Sequence, residues 1–148
     1  MIGTGFGIIV AEVKAHKGSL VWDSELGDFK REGSEGQWFV QQLCSHVRTV
    51  RNLVEKLEKG IPVHGCLCFI RNPPDLILDG FERAKEFLEK ESSKRECEMQ
   101  IFTGLDFRDG TTKKGGFIAR CGEKWDDLGV SVIPNILNRV KEMALSRP

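Results

Sequence analysis

The sequence has no apolar stretch approaching the roughly 18 residues of a membrane helix, and its N-terminus lacks the basic region and apolar core of a signal peptide. Those absences predict an intracellular protein, cytoplasmic or nuclear, with no membrane partner. Net charge is also missing. Lys+Arg and Asp+Glu are both 22, so no global field argues for or against nucleic acid, and any phosphate recognition has to be local. The five cysteines, Cys44, Cys66, Cys68, Cys97 and Cys121, contain no C-x-x-C, and their odd number fits reduced thiols better than a disulfide framework or a zinc site. Cys66 and Cys68 fall on one face of an apolar run, where small buried thiols are commoner than metal ligands. There is no internal repeat and no low-complexity linker. Ahead of Glu12 there is no acidic residue at all.

What is present suffices for one core. A chain of 148 residues with 40% hydrophobic content predicts one unit over residues 1–148. The run Phe6 to Ala11 predicts a buried strand reaching about Val13, and Ser19 to Trp22 the next strand of a hairpin or meander. Asp23 to Gln37, rich in glycine and charge, predicts an exposed loop. Phe39, Leu43, Val47, Val50, Val54 and Leu57 recur at three- and four-residue steps, with Arg48, Arg51, Glu55 and Lys56 opposite. They predict a helix over 38–59 that Gly60 and Pro62 stop. Val63 to Ile70 predicts a second buried strand beside the first. A shorter helix over 79–91, a strand over 98–103 and a last helix from Pro134, with Ile136, Leu137, Val140, Met143 and Ala144 inward, complete an α/β chain with a mixed sheet.

Gly3-Thr4-Gly5-Phe6-Gly7 has the look of a nucleotide-binding glycine loop, but such loops follow a strand and open a helix, whereas these glycines precede a strand. A tight hairpin turn fits better, with only Met1 and Ile2 left ahead of it. Lys113-Lys114-Gly115-Gly116 reads as a solvated turn rather than a phosphate cradle. His46 reads as a packed helix-flank histidine, and Trp22, Trp38 and Trp125 as core or rim rather than base-stacking surfaces. His16 and Lys17, just past the first strand, are candidate phosphate contacts or solvated loop residues.

Glu12-Val13-Lys14 carries the chemistry. It is the only Glu-x-Lys in the sequence, and strand alternation puts Ile8, Val10, Glu12 and Lys14 on one face. A carboxylate and an ammonium at the end of a buried strand are costly to desolvate unless partnered, and a divalent cation or a phosphate would supply a partner. A strand-end ion pair is the plain alternative.

The segment Phe6 to Leu20, with its Gly7, apolar strand, Glu12-Val13-Lys14 and Gly18, resembles the nuclease-related domain (NERD) family of the PD-(D/E)XK nuclease superfamily. The resemblance continues through Gln41 or Gln42 and His46 on the long helix and, more weakly, to Phe102. It implies a restriction-endonuclease-like mixed β-sheet flanked by helices and metal-dependent hydrolysis of nucleic-acid phosphodiesters, DNA rather than RNA. By the same resemblance Glu12 and the carbonyl of Val13 would hold Mg²⁺ or Mn²⁺, Lys14 would be the catalytic cation, and Gln42 would reach toward the site. Two family features are missing: a metal-binding Asp about a dozen residues before the Glu, and an Asn-Pro pair opening the long helix. The expectation is therefore either a chain that begins after the family's first strand or a degenerate relative that binds nucleic acid or protein without cleaving.

Overall fold

The apolar run before Glu12 forms a strand because its side chains find apolar cover on both faces. The computed structural model describes residues 1–4, 7–31, 33–71, 74–103 and 132–146. It places β2 at Gly7–Lys14, with β1 (Ile2–Thr4) antiparallel on one side and β5 (Val63–Phe69) parallel on the other. β7 (Met99–Thr103) runs parallel to β5 and completes a four-stranded sheet of order β1-β2-β5-β7. Ile8 and Val10 enter the main core, while Ile9 joins Cys66 and Phe102 in a smaller cluster. Burial on two faces is the mark of a central strand, and β5 lies beside β2 as expected.

The turn expected at the glycines has a strand on each side. Ile2 pairs with Ile9 and Thr4 with Gly7, so the first strand takes in Gly3, which the sequence assigns to the turn. Gly7 is required by contact and conformation together: its φ is +138°, and a Cβ there would stand 2.5 Å from the Pro62 carbonyl oxygen.

A second sheet was not expected. β3 (Gly18–Asp23) does not return along β2 as a hairpin; it pairs antiparallel with β4 (Asp28–Lys30) and parallel with β6 (Leu76–Asp79), in the order β4-β3-β6. The exposed loop predicted over 23–37 is therefore corrected at β4, where Asp28 and Phe29 are wholly buried. The reason is one aromatic in a charged segment. Phe29 stacks edge-on against Trp22 and Phe69, with ring centroids 5.2 Å and 5.7 Å away. Trp22 is thus core, as read. The Asp23 carboxylate sets the turn between β3 and β4 by accepting from the Glu25 and Leu26 amides at 2.9 Å and 3.0 Å.

Among the described residues three helices cover the sheets. α1 (Phe39–Leu57) buries Val40, Leu43, Val47, Leu53 and Val54. It lies close to β5 because position 65 is a glycine: a Cβ there would be 2.7 Å from Val47 Cγ2 and 3.1 Å from Leu43 Cδ1. α2 (Phe81–Arg95) begins later than expected because Asp79 ends β6, and it runs past Glu91. Buried Ser92 explains the extension: its hydroxyl donates to the Leu88 carbonyl and accepts from the Met99 amide, both at 2.8 Å, tying the last turn to β7. α3 (Val132–Leu145) buries Ile133, Ile136 and Val140 in the same core, with Leu137 and Met143 packed against it. Mixed sheets flanked by three helices give the α/β fold that the sequence implied. Cys121, Trp125, the Lys113 to Gly116 turn and the Ala144 side chain lie outside the described residues.

Candidate functional site at the end of β2

Helix α1 has no cap of its own. Trp38 stands at its N-cap with φ 59° and makes no side-chain cap bond. The cap comes from β4: one Asp28 oxygen accepts from the Gln41 amide at 3.0 Å while the other accepts from Phe29 at 2.8 Å. A carboxylate that satisfies an orphan amide in the first turn replaces the local cap, so the missing Asn-Pro pair does not leave the helix open. Fixed in this way, α1 turns Phe39, Gln42 and His46, spaced i, i+3 and i+7, toward one place. That place is the C-terminal end of β2.

Four side chains meet there. Lys14 Nζ lies 3.3 Å from Glu12 Oε2 and donates to Gln42 Oε1 at 2.6 Å. His46 Nδ1 contacts Glu12 Oε1, and because a carboxylate only accepts, Nδ1 is the donor. Both Glu12 oxygens are thus engaged. The Glu12 and Lys14 side chains are 14% and 19% exposed and His46 is 55% exposed, so the site is covered from the helix side and open at its rim. Lys14 Nζ sits 5.1 Å above the Phe39 ring, whose edge also meets His16 at 6.2 Å and Phe69 at 5.8 Å. Phe39 supports the cation from below.

Backbone direction matters for Val13. Ile8 donates its amide to Pro62 and Ile70 donates to the Lys14 carbonyl, at 2.9 Å and 3.1 Å, so even-numbered residues of β2 point their backbone groups at β5. Odd-numbered residues point them the other way, where β1 reaches only as far as Ile9. The carbonyl of Val13 therefore faces an edge that no described strand pairs, and the residue is 59% exposed.

The donors present match Mg²⁺ or Mn²⁺ in kind, being a carboxylate and a backbone carbonyl. In number they fall short: no group of three or more His, Cys, Asp or Glu side chains that could hold a metal occurs among the described residues. The four described cysteines are free thiols. Burial pushes Cys66 up to about 12, which leaves it neutral and inert on β5. A groove of about 480 Å³ lies elsewhere, between α1 and α2, lined by Val40, Cys44, Arg48, Phe87 and Arg95 among others. It includes none of the residues gathered at Glu12.

Of the residues singled out from sequence, the structure brings Glu12, Lys14 and Gln42 together and leaves Val13 at the strand edge. Gln41 gives its backbone to the helix cap instead. His46, read as a packed histidine, is the residue that sequence reasoning undervalued. Its signal was the four-residue step from Gln42, which puts both on one helix face. Among the described residues no helix is long and apolar enough to cross a membrane.

No curated protein and no solved structure matches this chain. The family model of the nuclease-related domain (NERD) does match residues 1–70, a segment that runs from β1 through β5 and contains Glu12, Lys14, Gln42 and His46, so the resemblance expected from sequence is shown for the part that carries the site.

Proposed function

We propose that residues 1–148 act as one nuclease-related unit that binds nucleic-acid phosphodiesters, DNA in preference to RNA, at the end of β2 and hydrolyses them with the help of Mg²⁺ or Mn²⁺. The observation that carries this reading is the convergence of Glu12, Lys14 and Gln42 from a strand and a helix that lie 28 residues apart in sequence. A surface ion pair would not need the helix. The chemistry such an ion would supply is polarisation of the scissile phosphate and a lowered pKa for the attacking water. Glu12 and the Val13 carbonyl are the oxygen donors this chain offers it. Gln42 aims the Lys14 ammonium through its side-chain oxygen, and Phe39 keeps that ammonium at the rim. There it faces the negative charge that builds on the phosphate. His46 orients the Glu12 carboxylate through the oxygen that Lys14 does not use.

A second reading has its own support. Both Glu12 oxygens are already engaged, by Lys14 and His46, a closed arrangement that suits a module binding nucleic acid or protein without cleaving. Cleavage of labelled DNA and RNA in Mg²⁺, Mn²⁺ or EDTA separates the two. The nuclease reading expects metal-dependent cleavage of DNA that falls roughly 100-fold or more in Glu12→Gln and in Lys14→Met. Equal residual cleavage in wild type and both variants, or none in any metal, would leave the binding module standing.

A further inference from the structure

The groove between α1 and α2 is walled by two matching helix rows. Val40, Cys44 and Arg48 line it from α1, and Phe87, Glu91 and Arg95 from α2. Each row advances in steps of four residues, which keeps its members on one helix face. The rows also begin and end together. At one end the turn between β3 and β4 meets both: the Gln41 amide, next to Val40, donates to Asp28 at 3.0 Å, and Gly27 stands so close to Phe87 that a Cβ there would be 3.0 Å from its Cζ. At the other end Arg51, on α1 just beyond Arg48, donates its Nη2 to the Arg95 carbonyl at 3.0 Å.

Polarity therefore changes along the groove. The end at the turn is apolar, made by Val40, Phe87 and Leu26, and Leu26 is 39% exposed although it is a large apolar side chain. Half-buried Cys44 continues that wall: burial, ahead of the charges of Arg95, Glu91, Asp28 and Arg48, raises its thiol above the usual range and leaves it neutral. The far end, a rise of about 12 Å from Val40 along α1, holds two guanidiniums and one carboxylate. Glu91 is already engaged, accepting from Lys94 at 3.3 Å and from Arg95 Nε at 3.2 Å. Arg95 gives it only that nitrogen, so the terminal amino groups remain for a ligand, and Arg48 adds a second fork. Of the charged side chains that line the groove two are positive and one is negative, which leaves a single positive charge for a ligand to match.

We infer that this groove is a binding site for a small monocarboxylate with an apolar chain, its head between Arg48 and Arg95 and its tail along Phe87 toward Leu26. One net positive charge suits a singly charged head, and the graded walls fix the direction in which the molecule lies. The volume of about 480 Å³ is that of a small-molecule site. The site is separate from the residues at Glu12 and does not depend on nucleic-acid binding.

Isothermal titration calorimetry of the full chain with octanoate, hexanoate and 1-octanol tests the site. Octanoate should bind saturably at one per chain, about tenfold or more tighter than octanol. Hexanoate should bind roughly fourfold or more weaker than octanoate, because two methylenes leave the apolar end. Arg48→Gln should weaken octanoate about tenfold and leave octanol unchanged. Leu26→Ser should weaken both by a similar factor and keep the preference for the carboxylate. Both substituted residues are exposed, circular dichroism checks that each variant is folded, and the wild-type ligand series needs no variant. Absence of saturable octanoate binding overturns the inference. So does equal affinity for octanoate and octanol, or an octanoate affinity that neither substitution changes.

Discussion

A single phenylalanine decides how the charged residues at the strand end are arranged. Phe39 takes Lys14 over its face and His16 at its edge, so two groups that would otherwise extend into water are drawn against α1. For His16 this has a titration consequence. Burial first, and the charge of Arg31 second, lower its pKa below the ordinary 6.5. A histidine that resists protonation when folded favours the folded state fully above pH 6.5 and loses that contribution as pH falls from 6.5 through its lowered value. Urea unfolding followed from pH 8 to pH 5 should therefore show wild type losing more stability than His16→Gln over the acid part of the range. Parallel curves for the two proteins would contradict the placement of His16. At this scale the sequence was a good guide to Glu12 and Lys14, since strand alternation alone puts both on one face. It was a poor guide to His46, because which flank of an amphipathic helix meets the strand end depends on how closely the helix approaches, and a glycine on β5 sets that approach.

The element that places the site is α1, and its placement depends on an acid from another element. Asp28 is buried and binds the Gln41 and Phe29 amides, so Asp28→Ala leaves two amide donors without that acceptor. We expect a loss of about 1–3 kcal/mol in urea unfolding, with a smaller loss for Asp28→Asn, which keeps one acceptor oxygen. A change within a few tenths of a kcal/mol would mean that α1 is held by packing alone. Elements with strong periodicity were legible. β2, α1 and β5 came within about two residues of their bounds, since each has an apolar pattern of the right period. β4 and β6 were not legible. Each is a short strand among charged or proline-bearing neighbours, and its strand character comes from pairing with β3 rather than from its own pattern. The helix cap was illegible for the same reason, because Asp28 is 13 residues from the amide it satisfies.

For the molecule as a whole, one core cluster joins described residues from Ile8 on β2 to Val140 on α3, beyond the residues 1–70 that the family model covers. α2 packs on β7 and α3 on α1 and β1, while β7 pairs with β5 and β5 with the end of β2. On the proposed function, Glu12 is the residue through which this end of the sheet engages a divalent ion while a phosphate lies at Lys14. Mn²⁺ titration followed by electron paramagnetic resonance, with a non-hydrolysable phosphorothioate DNA strand present, tests it most directly. Saturable Mn²⁺ uptake by the wild-type protein that is lost in Glu12→Gln is the predicted result; equal uptake by both proteins, or none by the wild type, would contradict it.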